Sequence, residues 1–449
     1  MITRIRAENF KSWKDTGELP LAPLTGLFGT NSSGKSSILQ MLLMLKQTAE
    51  SSDRNRVLYT GDERSLVNLG TFSDLIHNHD LNESLRLYIS WRKDVNELSF
   101  QTIISEYQGR NLVEQFSYEF PTGMQFAKFN KFEQKSILGM KRKSKNEDIY
   151  DLISDNLDAK LIRERSDSQF VPIKCYGFPY SLISNQDDFH PTDFSYYFEN
   201  RFSAIYYLGP LRDYPERTPH TWSGLHPYDI GPKGKDAIDA LLTAQVTGQR
   251  SFTGKKESRS NKRINEIILE WFQYMKLLES FDIKPIDKDR KYYEIKVKKS
   301  KSSPEVLMPD VGFGVSQILP VLVLCYYVPD GAIILLEQPE IHLHPSVQAD
   351  LADVLIDAVM NRNIQIILES HSEHLLRRLQ RRIAEEVIPS DKVNLYFCRM
   401  ENGASQIEKL QLDDEGYISN WPPNFFGDEM ADLVAMTEAA IKRREKDDQ

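Results

Sequence analysis

The chain has 449 residues, 40% of them hydrophobic and 27% charged, with a formal net charge of −9. That size supports a large core, built as one elaborated domain or two closely joined ones, and the acidic balance excludes a surface that is basic all over, leaving any nucleic-acid contact to local patches. Three scattered cysteines, Cys175, Cys325 and Cys398, exclude a disulfide framework and a thiolate metal site and fit buried thiols in a reducing compartment.

Taken in chain order, Ile2, Ile5 and Ala7 alternate with polar residues and predict a strand. The opening MITRIRAENFKSW therefore lacks the apolar block of a signal peptide, and the longest apolar run, residues 318–328, is too short to span a bilayer. A cytoplasmic protein with no membrane partner is expected. Residues 24–28 predict a second strand entering a glycine-bounded loop, and residues 37–47, rich in Leu and Met, predict a helix that starts inside the loop. Alternation at Leu85, Leu87, Ile89 and Trp91, repeated near 98–104 and 116–120, predicts an antiparallel sheet. Residues 128–167 are charged and poorly periodic, and 248–263 are rich in Gly, Ser and Lys, so both are expected to be insertions or mobile loops. Strand signals return at 204–208, 292–297, 332–336, 364–368 and 394–397, with helical segments between several of them, which predicts a mostly parallel, helix-covered sheet. No solenoid repeat and no long heptad pattern is present, which excludes long coiled-coil arms.

The strongest chemical signal is GTNSSGKSS at 29–37, a phosphate-binding loop in the strand-to-helix context that such a loop requires. Gly29 and Gly34 let successive N–H groups face the phosphates, Lys35 neutralises β/γ charge, and Ser36 offers its hydroxyl to Mg²⁺. Asn31, Ser33 and Ser37 complete the candidate nucleotide-binding set. Downstream, one apolar strand ends in Glu337, followed by Gln338, Pro339 and Glu340, and another ends in Glu369, Ser370 and His371. A carboxylate at the carboxyl end of a buried strand is where a metal-organising acid belongs. Between these motifs, DVGFGVSQ leads through Gly314, Ser316 and Gln317 into an apolar helix whose start is a second anion-binding corner.

The order ENFKSW, GTNSSGKS, DVGFGVSQ, LLEQPEIHLHP and ESHSEHLL resembles the SMC, RecF and OLD-type ABC ATPases. YLGPLRDYPER at 207–217 and the tail GYISNWPPNFF are similar to a bacterial AAA/ABC ATPase family with a small carboxy-terminal domain of unassigned function. The resemblance implies an α/β fold, an ABC-type P-loop NTPase head with a mostly parallel helix-covered sheet, an antiparallel β subdomain and an inserted helical and loop region. It divides the chain into 1–120 and 301–400 as the two parts of the head, 121–300 as the inserted lobe and 401–449 as a small extension.

The implied activity is ATP hydrolysis with ATP and Mg²⁺ as cofactors, in a nucleotide-sandwich homodimer or higher oligomer. Gly314, Ser316 and Gln317 would approach the γ-phosphate of the opposite subunit, Glu337 would organise Mg²⁺ with Ser36, and His371 would sense the γ-phosphate. His342 to Pro345 would lie across the dimer, and either Gln40 or Gln47 would supply a further contact. One departure from the pattern is Gln338, which stands where many ABC proteins carry the glutamate that orients water. Glu340 or Glu369 would then polarise the water, or hydrolysis would be slow.

The implied partners are a separately encoded effector and nucleic acid, in genome maintenance or anti-phage defence. The alternatives are a non-hydrolysing ATP sensor or scaffold and an OLD-like nuclease, the latter disfavoured because only 78 residues follow His371. A zinc site among Glu340, His342, His344, Glu369, His371 and His374 is disfavoured because the spacing matches no compact zinc pattern. Basic runs at 141–145, 255–263, 296–301 and 377–382 read equally well as nucleic-acid patches and as solvated faces.

Overall fold

A computed structural model describes residues 1–93, 96–119, 125–130, 135–141, 163–165, 172–177, 192–254, 259–287, 289, 291–423, 425, 426, 434–440 and 443. Its centre is a six-stranded sheet in the order Ile205–Leu208, Ile333–Glu337, Gln365–Glu369, Leu24–Gly29, Val393–Glu401 and Ala404–Lys409. The first five strands are parallel and the last is an antiparallel edge. Because the sheet is covered on both sides, its inner strands read as unbroken apolar runs, as in IILLE and QIILE, where every residue is buried. Alternate side chains feed two different cores: Ile334, Leu336 and Phe28 belong to one, and Ile333, Leu335 and Leu27 to the other.

The first core lies under the helices Phe313–Tyr327, Pro345–Asn361 and Glu373–Ala384. The second lies between the central sheet, the helix Lys35–Glu50 and a nine-stranded sheet, mostly antiparallel hairpins, that includes Ile2–Phe10, Leu85–Lys93, Asn96–Tyr107 and Arg110–Glu119. The expected amino-terminal strand, phosphate-loop strand, helix and antiparallel sheet are all present. Gln365 ties the two sheets, since its amide donates to the Ile2 and Ala22 carbonyls and its carbonyl accepts from the Ile2 N–H.

Three expectations are corrected. The strand Tyr292–Lys298 lies outside the parallel sheet, in a small antiparallel sheet beside Ser280–Pro285, because the short link between the two permits an antiparallel return and no parallel crossover. Residues 248–263 contain a hairpin, Arg250–Thr253 with Ser260–Arg263, in which Ser251 and Thr253 turn inward. Within 128–167, residues 128–130, 135–141 and 163–165 are strand, and the remainder lies outside the described residues. Asp413 to Glu415 form an exposed turn, and all three cysteines are free and buried. No helix among the described residues is long and apolar enough to cross a membrane.

Candidate functional site

The site is built where parallel strands end. Gly29, Glu337 and Glu369 close three adjacent strands at their carboxyl ends, and Glu337 and Glu369 face each other in register. The phosphate loop turns through Gly29 at φ 133°, Ser32 at φ 59° and Gly34 at φ 89°. A Cβ on Gly29 would stand 2.0 Å from the Cys398 carbonyl oxygen, so the loop needs glycine there to hug the neighbouring strand. The Lys35 ammonium donates to the carbonyls of Gly29 (3.2 Å) and Thr30 (2.6 Å) and to Ser33 Oγ (3.3 Å), so the loop's own oxygens hold the charge in its centre. Burial lowers the Lys35 pKa, against the opposing pull of the Glu369 carboxylate. Ser37 N–H donates to the Gly34 carbonyl, and Asn31 is exposed at the loop's tip.

Ser36 Oγ donates to Glu369 Oε2 at 2.6 Å, so the hydroxyl expected to work with Glu337 is engaged by the carboxylate one strand over. Glu337 is buried, and its Oε1 has no hydrogen-bond partner among the described residues. Burial first, and repulsion by Glu369 second, push its carboxyl up to about 7, against the Tyr207 hydroxyl and the Lys11 ammonium. His371 stands 4.0 Å from Glu369 Oε1, and its pKa is lowered by burial and by Lys35. Glu340 is buried and accepts the His371 backbone N–H at 2.7 Å, which makes it a brace for the histidine loop. Desolvation raises the Glu340 pKa.

Gln338 lies in left-handed backbone at φ 44°, with its N–H on the Glu369 carbonyl. His342 is also left-handed, at φ 62°. Non-glycine residues held there cost on the order of 1 kcal/mol each and persist where the surroundings enforce them.

The corner formed by Gly314, Ser316 and Gln317 opens the helix Phe313–Tyr327, and Ser316 Oγ returns to the Phe313 carbonyl. The exposed Phe313 ring stacks on Tyr214 (5.8 Å) and meets His342 edge-on (4.9 Å). His344 caps the helix Pro345–Asn361, and His374 is exposed on another helix. Among the described residues no group of three His, Cys, Asp or Glu stands ready to hold a metal ion.

Sequence reasoning missed Lys11, Tyr207 and Arg212 as site residues. Lys11, inside ENFKSW, donates to Gln40 Oε1 at 2.6 Å and acts electrostatically on Glu337, whereas Gln47 is committed to the Tyr59 carbonyl. Trp13 of the same segment donates its indole N–H to the Gly34 carbonyl. Arg212, inside YLGPLRDYPER, is buried and donates to the carbonyls of Gln317 (3.1 Å), Gln338 (3.2 Å) and Pro339 (3.3 Å). Both stretches were visible as motifs, but no local pattern says which side chain turns inward.

The model of the AAA ATPase domain family matches residues 1–201 and 236–376, well over half of the chain. The chain belongs to the AAA ATPase domain family. Residues 388–436 of this AAA ATPase match a second family, described as a protein of unknown function (DUF3696). No curated protein matches the sequence. Solved structures similar to this AAA ATPase include an SMC head bound to the C-winged helix domain of ScpA, with TM-score 0.45 and 14% identity over 92% of this chain and 98% of that one. They also include the SMC head domain from Thermotoga maritima, with TM-score 0.40 and 12% identity over 92% and 99% of the two chains. A third is an SMC head with an extended coiled coil bound to the C-terminal domain of ScpA derived from Pyrococcus furiosus, with TM-score 0.38 and 12% identity over 91% and 96%.

The donor set of this AAA ATPase fits a Mg²⁺-nucleotide. The loop holds a buried ammonium on its own oxygens, a cation that would pair with phosphates. Two facing carboxylates and the Ser36 hydroxyl supply hard oxygen ligands, with the orphaned Glu337 Oε1 the least satisfied oxygen among them.

Proposed function

We propose that the chain binds and hydrolyses ATP with Mg²⁺ and works as a nucleotide-sandwich dimer, gating a process on nucleic acid through a separately encoded effector. The observation that carries the ATPase reading is the meeting of Ser36, Glu337, Glu369 and His371 at one strand-end edge around the Lys35 loop, with Ser36 Oγ 2.6 Å from Glu369 Oε2. Lys35 would neutralise the β/γ-phosphate charge, and Ser36, Glu337 and Glu369 would hold Mg²⁺. His371 lies beside Lys35, where it can read the γ-phosphate. Mg²⁺ supplies charge stabilisation to the transferring phosphoryl group.

In the dimer reading, Gly314, Ser316 and Gln317 meet the partner's nucleotide. The exposed Leu211, Tyr214 and Phe313 beside that corner suit a surface that closes on a second copy. The Gln338 position favours slow turnover, because an amide accepts no proton. A sensor that binds ATP without hydrolysing it is the second reading, and the same residue favours it.

The test uses radiolabelled ATP with Mg²⁺. Lys35→Ala weakens ATP binding on the order of a hundredfold, the equivalent of about 3 kcal/mol of charge-assisted hydrogen bonding. Glu337→Gln keeps nucleotide bound and slows turnover on the order of a hundredfold. Wild-type turnover in both variants overturns the assignment. Binding without any wild-type turnover decides for the sensor.

A further inference from the structure

Residues 209–217, which follow the strand Ile205–Leu208, make three separate grips on the signature corner, the turn at Gly314, Ser316 and Gln317 that opens the signature helix Phe313–Tyr327. Tyr214 stacks on Phe313 and donates its hydroxyl to the Pro309 carbonyl at 2.9 Å. Arg217 pairs with Asp310 at 2.5 Å. Arg212 reaches inward and is the only one of the three side chains that is buried. Its guanidinium bonds the Gln317 carbonyl, in the first turn of the signature helix, and the Gln338 and Pro339 carbonyls, in the turn after Glu337. Glu340 attracts the same guanidinium and accepts the His371 N–H. One side chain therefore touches both nucleotide-facing edges of the subunit.

We propose that Arg212 is a positioning residue that couples the signature corner to the Glu337–His371 edge, so that the two edges of one subunit move together. The inference rests on the sandwich reading above, in which the signature corner serves the partner's nucleotide and His371 serves the subunit's own. Under that reading Arg212 reports the occupancy of one site to the other.

Most buried polar groups in a folded protein are hydrogen-bonded. Among the described residues Arg212 Nε and Glu340 Oε2 are both buried without a hydrogen-bond partner, and a buried polar group left unmatched is costly. Two unused valences of opposite charge in one network give it a second pairing to adopt when the turn at Gln338 shifts. That turn already holds left-handed, strained backbone. The fork spreads the contacts over two nitrogens, Nη1 on the Gln317 and Pro339 carbonyls and Nη2 on the Gln338 carbonyl, a spacing that a single ammonium nitrogen does not reproduce. Arg212 also lies between the two stretches of the family match, 1–201 and 236–376.

The experiment compares the full chain with Arg212→Lys, Arg212→Gln and Glu340→Gln. Binding of a fluorescent ATP analogue with Mg²⁺ and ATP-dependent dimerisation by light scattering are measured side by side. Both Arg212 variants are expected to bind the analogue within about threefold of wild type, while their ATP-dependent dimerisation weakens about tenfold or more. Glu340→Gln, which keeps an acceptor for the His371 N–H, is expected to weaken dimerisation by a similar factor.

Wild-type dimerisation in folded Arg212 variants overturns the proposal, as does a parallel loss of binding and dimerisation, which marks a structural role alone. Should neither Arg212 variant fold, wild-type dimerisation in Glu340→Gln overturns it. A wild-type protein that binds no analogue overturns the ATPase reading itself, and one that binds without dimerising overturns the sandwich reading.

Discussion

Glu337 and Glu369 end neighbouring parallel strands in register, so folding forces two carboxylates together in a buried edge. Glu337 bears the consequence, with its carboxyl pushed up to about 7 by desolvation and then by Glu369. A raised acid contributes stability that is fully present below its unfolded pKa, about 4.3, and lost as pH rises through 7. In the absence of Mg²⁺ and nucleotide, Glu337→Gln is therefore expected to match wild type near pH 4 and to exceed it above pH 7, by about 2–3 kcal/mol. Urea denaturation at several pH values measures the gap, and a gap that does not change with pH contradicts the assignment. Lys35, Ser36, Glu337 and His371 were legible because a loop motif and two strand ends point to them. Glu369 was legible only as a substitute for Gln338. Its bond to Ser36 depends on which strands are neighbours, and Arg212 depends on a loop's inward turn, neither of which local periodicity encodes.

The helix Glu373–Ala384 carries one of the basic runs, and its arginines are paired within the chain. Its arginines form a basic run in sequence, yet Arg378 and Arg382 both pair with Asp353, Arg378 also with Asp350, and Arg377 with Glu373. Arg377 further lies over the Trp421 ring at 4.3 Å, which fastens the carboxy-terminal segment to the helix. Gln380 adds a bond to the Gly416 carbonyl, and a Cβ on Gly416 would stand 2.2 Å from the Gln380 carbonyl oxygen. The charges are spent on packing two helices and a tail. Asp353→Asn is accordingly expected to cost about 2 kcal/mol, because it leaves two part-buried guanidinium groups short of a counter-charge. Arg382→Ala is expected to lower stability too, while nucleic-acid affinity and its salt dependence stay at their wild-type values. A filter-binding series over salt concentration, run beside thermal denaturation, checks both halves. The helix was legible from its periodicity and its Ser372 cap, but its partners lie far away in sequence.

At the scale of the whole molecule, the central sheet is the wall shared by two cores, and the edge that carries Ser36, Glu337 and Glu369 is the rim of that wall. Tyr206, Leu336 and Leu368 face one core while Tyr207, Leu335 and Ile367 face the other, so damage on either side reaches the same strand ends. The alternation was hidden in sequence because both faces are apolar, which makes each strand a plain hydrophobic run. The carboxy-terminal segment seals the first core beneath the phosphate-loop strand, where Phe425 meets Phe28 at 6.2 Å and Phe397 at 4.7 Å. With one wall between the cores, unfolding is expected to be a single transition. Phe425→Ala opens a cavity against Phe28 and is expected to cost about 3–4 kcal/mol. ATP with Mg²⁺ at a hundred times its dissociation constant adds about 2.7 kcal/mol to the folded state by mass action alone. That increment should persist in Phe425→Ala, whose loop residues are intact, and fall to about 0.4 kcal/mol at the same ATP concentration in Lys35→Ala, whose core is intact. Calorimetry of the three proteins with and without ATP separates these effects, and a two-step melt in the wild type contradicts the shared wall.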